Sequence, residues 1–324
     1  MNAIVNTAPG QVEWQQVAPP RPGPGQVLVR TAACGICATD LQMIAGWQRT
    51  GFPSIPGHEW SGVVEAAGEG AGSELLGRLC VAENVLRAGG EVGFEHPGGY
   101  GEFLLTEARN VYPLPKGFDP AVATLIEPLA VSVRGLRRLK TAAKGPVLVI
   151  GDGPLGLLFS MLLRQNGREV KMVGGRPERL RLARELGNSA VWNYHDTKAA
   201  LAEGIKDALG GGFEDIVEAS GSGASLAAAL DLAAPTGSIL LLGDYGSDCA
   251  AFPWNRLLHR ELTLSGSNAS AAAWPEAVRL AVSGQLPLAR LLTARLPARQ
   301  FAKGLALLRT DRTQIKIVLE WSKS

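Results

Sequence analysis

Val147-Leu148-Val149-Ile150-Gly151-Asp152-Gly153-Pro154-Leu155-Gly156 decides the fold: an apolar run passes straight into a G-x-G-x-x-G turn. Three glycines at this spacing are a weak signal alone. Here they follow a strand candidate, place Pro154 near the first turn of a helix, and head a βαβ unit. Gly151 allows the tight turn, Gly153 the approach of a pyrophosphate, and Gly156 close helix–strand packing. The helix N-terminus adds free N–H groups and the positive end of its dipole. Gly151, Gly153, Pro154, Leu155 and Gly156 are therefore candidate cofactor-binding residues. The competing reading is a tight turn with no ligand.

Downstream, strand candidates at 170–174, 215–219, 238–243 and 262–266 alternate with helical segments. In 177–187, Leu180, Ala183 and Leu186 recur at three-residue spacing before a glycine stop, and a second helix candidate, 224–234, is closed by Pro235. This alternation predicts an α/β domain with a parallel, doubly wound sheet over 129–266. Upstream, short strand candidates at 26–30, 62–65, 78–81 and 102–105 sit between Gly and Pro turns. They predict a β-rich, barrel-like domain over 1–128. After Gly266 come two helix candidates and a last strand at 315–319, expected to complete the first domain through 267–324.

The length of 324 residues suits two domains. Basic residues number 32 and acidic residues 30, with no block of like charge, which argues against a nucleic-acid or membrane-surface partner. Glycine, at 40 residues, exceeds the usual share of about 7 %, so turns and close backbone approaches are expected. The N-terminus Met1-Asn2-Ala3-Ile4-Val5 lacks the basic head and apolar run of a signal peptide. No apolar stretch approaches the roughly 18 residues that span a bilayer. Cys34, Cys37, Cys80 and Cys249 do not make a disulfide framework in a chain this long. A soluble, cytoplasmic, two-domain protein is expected.

The second strand of the βαβ unit bears on the choice of dinucleotide. A carboxylate for the ribose is due about 20 residues beyond Gly153. The strand ends there on Gly174, and Gly174-Gly175-Arg176 follows, with Arg179 one turn further on. A small residue leaves room for a 2′-phosphate, and a guanidinium fork suits it. Gly174, Arg176 and Arg179 join the cofactor-binding candidates, and NADP(H) is expected over NAD(H). The alternative is that Arg176 is a solvated charge at a helix start.

A metal-type constellation lies in the first domain. Cys34-Gly35-Ile36-Cys37-Ala38-Thr39-Asp40 holds a C-x-x-C, and no second one exists to build a paired structural zinc site. A redox pair is the alternative, but such a motif belongs near a βαβ unit. Gly57-His58-Glu59 follows, and later Ile126-Glu127-Pro128 places an acid in an apolar stretch. Catalytic zinc wants about three ligands from Cys, His and carboxylate, with one position open. Each residue also has a plain reading: Cys37 as apolar filler, His58 as a turn residue, Glu127 as a helix N-terminal acid.

Taken together, Gly35-Ile36-Cys37 with Thr39-Asp40, Gly57-His58-Glu59, Glu127-Pro128 and the glycine turn resemble the zinc-dependent medium-chain alcohol dehydrogenases. Glu127 is nearer the sorbitol and threonine dehydrogenase branch than the liver-type enzymes. The resemblance implies a GroES-like catalytic domain, a Rossmann domain, and one catalytic zinc. Cys37 and His58 match zinc ligands, Glu127 the third ligand, and Glu59 a nearby carboxylate that ligates directly or exchanges with water. Thr39 matches the hydroxyl that hydrogen-bonds the substrate oxygen, and Asp40 the carboxylate that orients the histidine. Cys34 matches a position that is not a ligand. Thr39, Asp40 and Glu59 are thus the candidate catalytic residues.

Two departures stand out. The stretch 82–100 has no cysteine, so the structural-zinc lobe of many relatives is expected to be absent. Gln42 stands where relatives often relay the proton through histidine, and glutamine does not titrate near neutrality. The implied reaction interconverts an alcohol, sugar or polyol with its ketone or aldehyde by hydride transfer to or from NAD(P), with Trp47, Phe52 and Phe94 as apolar lining. A homodimer through the strand at 262–266 is expected. The competing functions are a metal-free quinone or enoyl reductase of the same fold, and a non-catalytic dinucleotide sensor.

Overall fold

A computed structural model describes residues 1–47, 49–139, 145–196, 205, 211–246 and 252–321; Cys249 lies outside the described residues. Two compact units divide the chain, Met1–Glu127 with Trp274–Ser324, and Pro128–Ala273.

In the first unit, alternating apolar residues build a β-rich core. Its strands are β1 (Asn2–Ala8), β2 (Gln11–Gln16), β3 (Gln26–Ile36), β4 (Trp60–Ala67), β5 (Leu79–Ala82), β6 (Phe103–Glu107) and β7 (Val111–Pro113). Short helices α1 (Ala38–Ala45) and α2 (Pro120–Ala123) and the start of α3 (Ile126–Leu136) accompany them. β3 is the spine, pairing antiparallel with β4 and β6. Its inward residues Val27 and Val29 pack with Ile4, Trp60, Val64 and Leu104. Burying each such side chain stabilises by about 1.5–3 kcal/mol.

The second unit carries a six-stranded parallel sheet of β8 (Val147–Ile150), β9 (Val170–Gly174), β10 (Ala190–Asn193), β11 (Phe213–Glu218), β12 (Ala233–Leu241) and β13 (Thr263–Gly266). Its order is β10-β9-β8-β11-β12-β13. β8 is buried throughout, as a central parallel strand covered on both faces must be. The helices are α4 (Pro154–Gln165), α5 (Pro177–Glu185), α6 (Gly223–Leu232) and α7 (Trp254–His259). Strand order reverses between β8 and β11, the place where open α/β sheets bind ligands beyond their carboxyl ends. The glycine turn sits there. Gly151 has φ +118°, outside the range of ordinary side chains. A Cβ on Gly156 would collide with the Gly151 carbonyl oxygen, so the helix can approach only as glycine.

The chain then returns to the first unit. After α8 (Trp274–Val282) come β14 (Leu292–Pro297), α9 (Phe301–Thr310) and β15 (Lys316–Glu320). β15 pairs antiparallel with β3 and parallel with β14, extending the first sheet. No helix among the described residues is long and apolar enough to cross a membrane.

Two elements differ from the sequence expectation. The helix predicted over 224–234 ends at Leu232, and Pro235 lies inside β12 instead of beyond a helix. Ala233 pairs with Phe213 and Ser238 with Asp215, so Pro235 falls in a register break where no ladder N–H is owed. The β1–β2 hairpin left no clear signal in the sequence, because four of the six residues of β2 are polar and only Val12 and Trp14 pack on the core.

Gly156→Ala should destabilise the second unit by about 1–3 kcal/mol, since the added methyl has no room. Gly153→Ala has open space around its Cβ and should leave the melting temperature nearly unchanged while weakening dinucleotide binding. Thermal unfolding of the two variants checks this, and equal melting temperatures would contradict the packing role of Gly156.

Candidate active site

β3 ends at Ile36 and hands the chain to Cys37, the N-cap of α1. Asp40, in the first turn, accepts the Cys37 N–H at Oδ2 (2.8 Å), one half of a capping box. This holds the Cys37 side chain at the head of the helix, with Sγ 3.6 Å from Thr39 Oγ1. Gly46 closes α1 in the left-handed conformation.

Asp40 is 0 % exposed, and a carboxylate so placed needs partners. Tyr100 donates its hydroxyl to Oδ2 (3.3 Å), and His58 Nδ1 faces Oδ1 at 3.3 Å. Neither of those last two atoms has another partner among the described residues. The ring of His58 is thereby turned with Nδ1 toward Asp40. Its backbone is held too, because the His58 carbonyl accepts from Asn84 Nδ2 (2.7 Å) while Asn84 Oδ1 accepts from Trp60 Nε1 (2.9 Å). Burial disfavours a charged His58 ring, but Asp40 and Cys37 outweigh it and hold the pKa well above the usual range.

Glu59, the next residue, is buried against Gly35, whose missing side chain leaves the carboxylate its space. Lys316 of β15 donates to both carboxylate oxygens at 2.6 Å. Burial works against the Lys316 charge, yet Glu59 reverses the effect and keeps its pKa above the ordinary value. Breaking such a buried pair costs about 3–5 kcal/mol, because it strands a charge.

Donor atoms of Cys37, His58 and Glu59 lie within 4.8 Å of one another, the one such metal-type group among the described residues. A thiolate, an imidazole and a carboxylate form a donor set that suits zinc. Glu127 stands outside this group, in the first turn of α3. Desolvation pushes its carboxyl up to about 7, with His58 drawing it down and Glu59 pushing it up, so it senses the same charges. Cys34 and Cys80 are buried thiols whose pKa is raised chiefly by burial, and no disulfide joins Cys34 to Cys37.

The loop between β5 and β6 packs beside the group. The Phe94 ring lies 4.7 Å from that of His58, and Trp47 meets Phe94 edge-on at 6.4 Å. Arg49 stacks over Phe94 at 4.3 Å and ties the loop down through Glu91 and Glu95, both at 2.6 Å. Phe52 is exposed.

In the second unit, Gly153 is the N-cap of α4 and Pro154 its first residue. Gly156 and Leu155 lie in the same first turn, and Gly174 ends β9. Arg176 caps α5, its side chain 39 % exposed, whereas Arg179 one turn on is buried. Asp152, which sequence reasoning passed over, accepts the Gly175 and Arg176 N–H groups at Oδ2 (2.9 and 2.7 Å). Its Oδ1 accepts from Arg176 Nη1 (2.9 Å).

Lys316, Tyr100 and Asn84 were also missed. Lys316 had left a signal, a lone charge within Ile315-Lys316-Ile317-Val318-Leu319. Tyr100, among glycines, and Asn84 had left none.

The family description "Alcohol dehydrogenase GroES-like domain" matches residues 23–116, and "Zinc-binding dehydrogenase" matches 154–283. The chain is 28 % identical to the L-threonine 3-dehydrogenase of Rhizobium johnstonii, over 99 % of each chain. It is 27 % identical to the erythritol/L-threitol dehydrogenase of Mycolicibacterium smegmatis, over 98 % of this chain and 97 % of that one. The crystal structure of 2R,3R-butanediol dehydrogenase from Bacillus subtilis shares the fold, with a TM-score of 0.90 at 24 % identity and 99 % of each chain covered. The matched domains, the doubly wound sheet and the Cys37–His58–Glu59 group converge: the chain belongs to the zinc-type medium-chain dehydrogenase/reductase family.

Proposed function

We propose that this member works with one catalytic zinc and no structural one, and moves hydride between the carbinol carbon of a small alcohol or polyol and NADP(H). In class it is an NAD(P)-dependent oxidoreductase interconverting alcohols with ketones or aldehydes. The clustering of Cys37, His58 and Glu59 donors carries the zinc reading. Cys37 and His58 would hold the ion, with Glu127 as third ligand and Glu59 as the carboxylate that ligates or exchanges with water.

Bound zinc supplies a Lewis acid for the substrate oxygen, and bound nicotinamide supplies the hydride acceptor. The protein's own residues do the rest. Asp40 engages His58 Nδ1, which leaves Nε2 as the donor and raises the ring's basicity. Thr39 Oγ1, beside Cys37 Sγ, would hydrogen-bond the substrate oxygen and take part in moving its proton. Gln42, in the next turn, cannot accept that proton, so it leaves by another route. Phe94 covers one side of the His58 ring and keeps water from it.

For the cofactor, Gly174 brings no carboxylate side chain to the end of β9, and the half-open Arg176 guanidinium is the nearby cation. The exposed part of that guanidinium would meet a 2′-phosphate in a charge-assisted contact. A homodimer is supported by the edge position of β13 and by exposed Trp254 (69 %) and Leu258 (68 %) on α7 beside it.

Elemental analysis should find about one zinc per chain. Cys37→Ala and His58→Ala should each cut turnover more than about a hundredfold, with Cys37→Ala leaving melting behaviour little changed and His58→Ala lowering the melting temperature, because Asp40 Oδ1 loses its partner. Two zincs, none after metal-replete expression, or near-normal turnover in either variant would contradict the site.

Arg176→Ala should weaken NADP(H) binding roughly ten- to a hundredfold, the loss of one charge-assisted contact, and leave NAD(H) nearly unchanged. Equal affinity of the unmodified protein for both cofactors would contradict the preference. Light scattering should give twice the mass of one chain, and Trp254→Asp should shift it toward a single chain; a monomeric unmodified protein would overturn the dimer.

A further inference from the structure

The acid absent from the end of β9 has not vanished from the site. Asp152 reaches across from the glycine turn after β8, and its carboxylate fills the space that a side chain at 174 would occupy. A Cβ built on Gly174 would lie 2.6 Å from Asp152 Oδ2. A Cβ on Gly175 would meet the ring of Tyr194 at 2.5 Å. Both glycines are thus bare because neighbours already fill their places.

The Asp152 carboxylate is 3 % exposed and fully engaged. Oδ2 takes the two main-chain amides of the β9–α5 turn, and Oδ1 takes Arg176 Nη1. Nη1 alone of the three guanidinium nitrogens finds an acceptor among the described residues. Holding the fork at Nη1, with Nε buried, fixes the plane of the guanidinium and leaves Nη2 for an incoming anion. A long, flexible side chain fixed in advance loses less freedom on binding than a loose one.

We infer that Asp152 is a positioning residue for cofactor choice: it clamps Arg176 through Nη1 so that Nη2 is presented to the 2′-phosphate of NADP(H). This rests on the NADP(H) reading above and adds to it a residue that touches no ligand. The alternative role, a carboxylate that competes with the phosphate for Arg176, predicts the opposite sign. The burial of Asp152 and its two amide bonds favour the clamp, since those bonds keep the carboxylate in place whether or not a phosphate is present.

Asp152→Asn separates the possibilities, because its amide oxygen can still accept the two main-chain N–H groups while the ion pair to Arg176 is lost. Calorimetric titration with adenosine 2′,5′-bisphosphate and with AMP reads binding without turnover. The unmodified protein should favour the bisphosphate. Asp152→Asn should bind it about tenfold more weakly and bind AMP as before. In the Arg176→Ala background the same change should add nothing further. Should Asp152→Asn unfold, Asp152→Ser, titrated the same way, carries the comparison.

Unchanged or tighter bisphosphate binding in the Asp152 variant would overturn the clamp, and so would equal weakening of both ligands, which marks a purely structural role. If Arg176→Ala loses the bisphosphate preference while Asp152→Asn keeps it, the clamp fails and the NADP(H) reading stands. If the unmodified protein shows no preference, both fall.

Discussion

A carboxylate sealed from water must be matched by donors or cations, and Asp40 and Glu59 impose that requirement on the first unit. Asp40 is met by the Cys37 amide, the Tyr100 hydroxyl and the His58 ring, which brings together the head of α1, the loop before β6 and the turn before β4. Glu59 is met by Lys316, which comes from the far end of the sequence. The antiparallel pairing of β15 with β3 therefore extends the sheet and also delivers the cation that makes a buried Glu59 tolerable. Lys316 thereby holds the Glu59 carboxylate beside the donor atoms of Cys37 and His58, all within 4.8 Å of one another.

The second unit uses the same device with a different outcome. Asp152, like Asp40, is a buried aspartate next to a helix start that accepts main-chain N–H groups and engages a cationic or ring side chain. In one case the oriented group is an imidazole, in the other a guanidinium. In both, the aspartate sets the direction of its partner's side chain.

What could be read from the chain alone follows the range of the interactions. The turn at Gly151–Gly156 was legible because glycine spacing encodes local backbone geometry, and β8 because a buried parallel strand is a continuous apolar run. Cys37 and His58 stood out by residue type. Lys316, Tyr100 and Asp152 act on groups that only tertiary pairing brings near, so their roles were not legible even where, as with Lys316, the residue was conspicuous. The β12 start was misread because Pro235 ordinarily closes a helix, and only the register break between Phe213 and Asp215 gives it a place in a strand.

The central claim is that Cys37 and His58 are donors to a single catalytic zinc whose remaining positions are filled by oxygen. X-ray absorption at the zinc edge tests it most directly. The account predicts one sulfur neighbour at about 2.3 Å with nitrogen and oxygen neighbours at about 2.0–2.2 Å, and loss of the sulfur shell in Cys37→Ser. A zinc with four sulfur neighbours, or one with none in the unmodified protein, would contradict it.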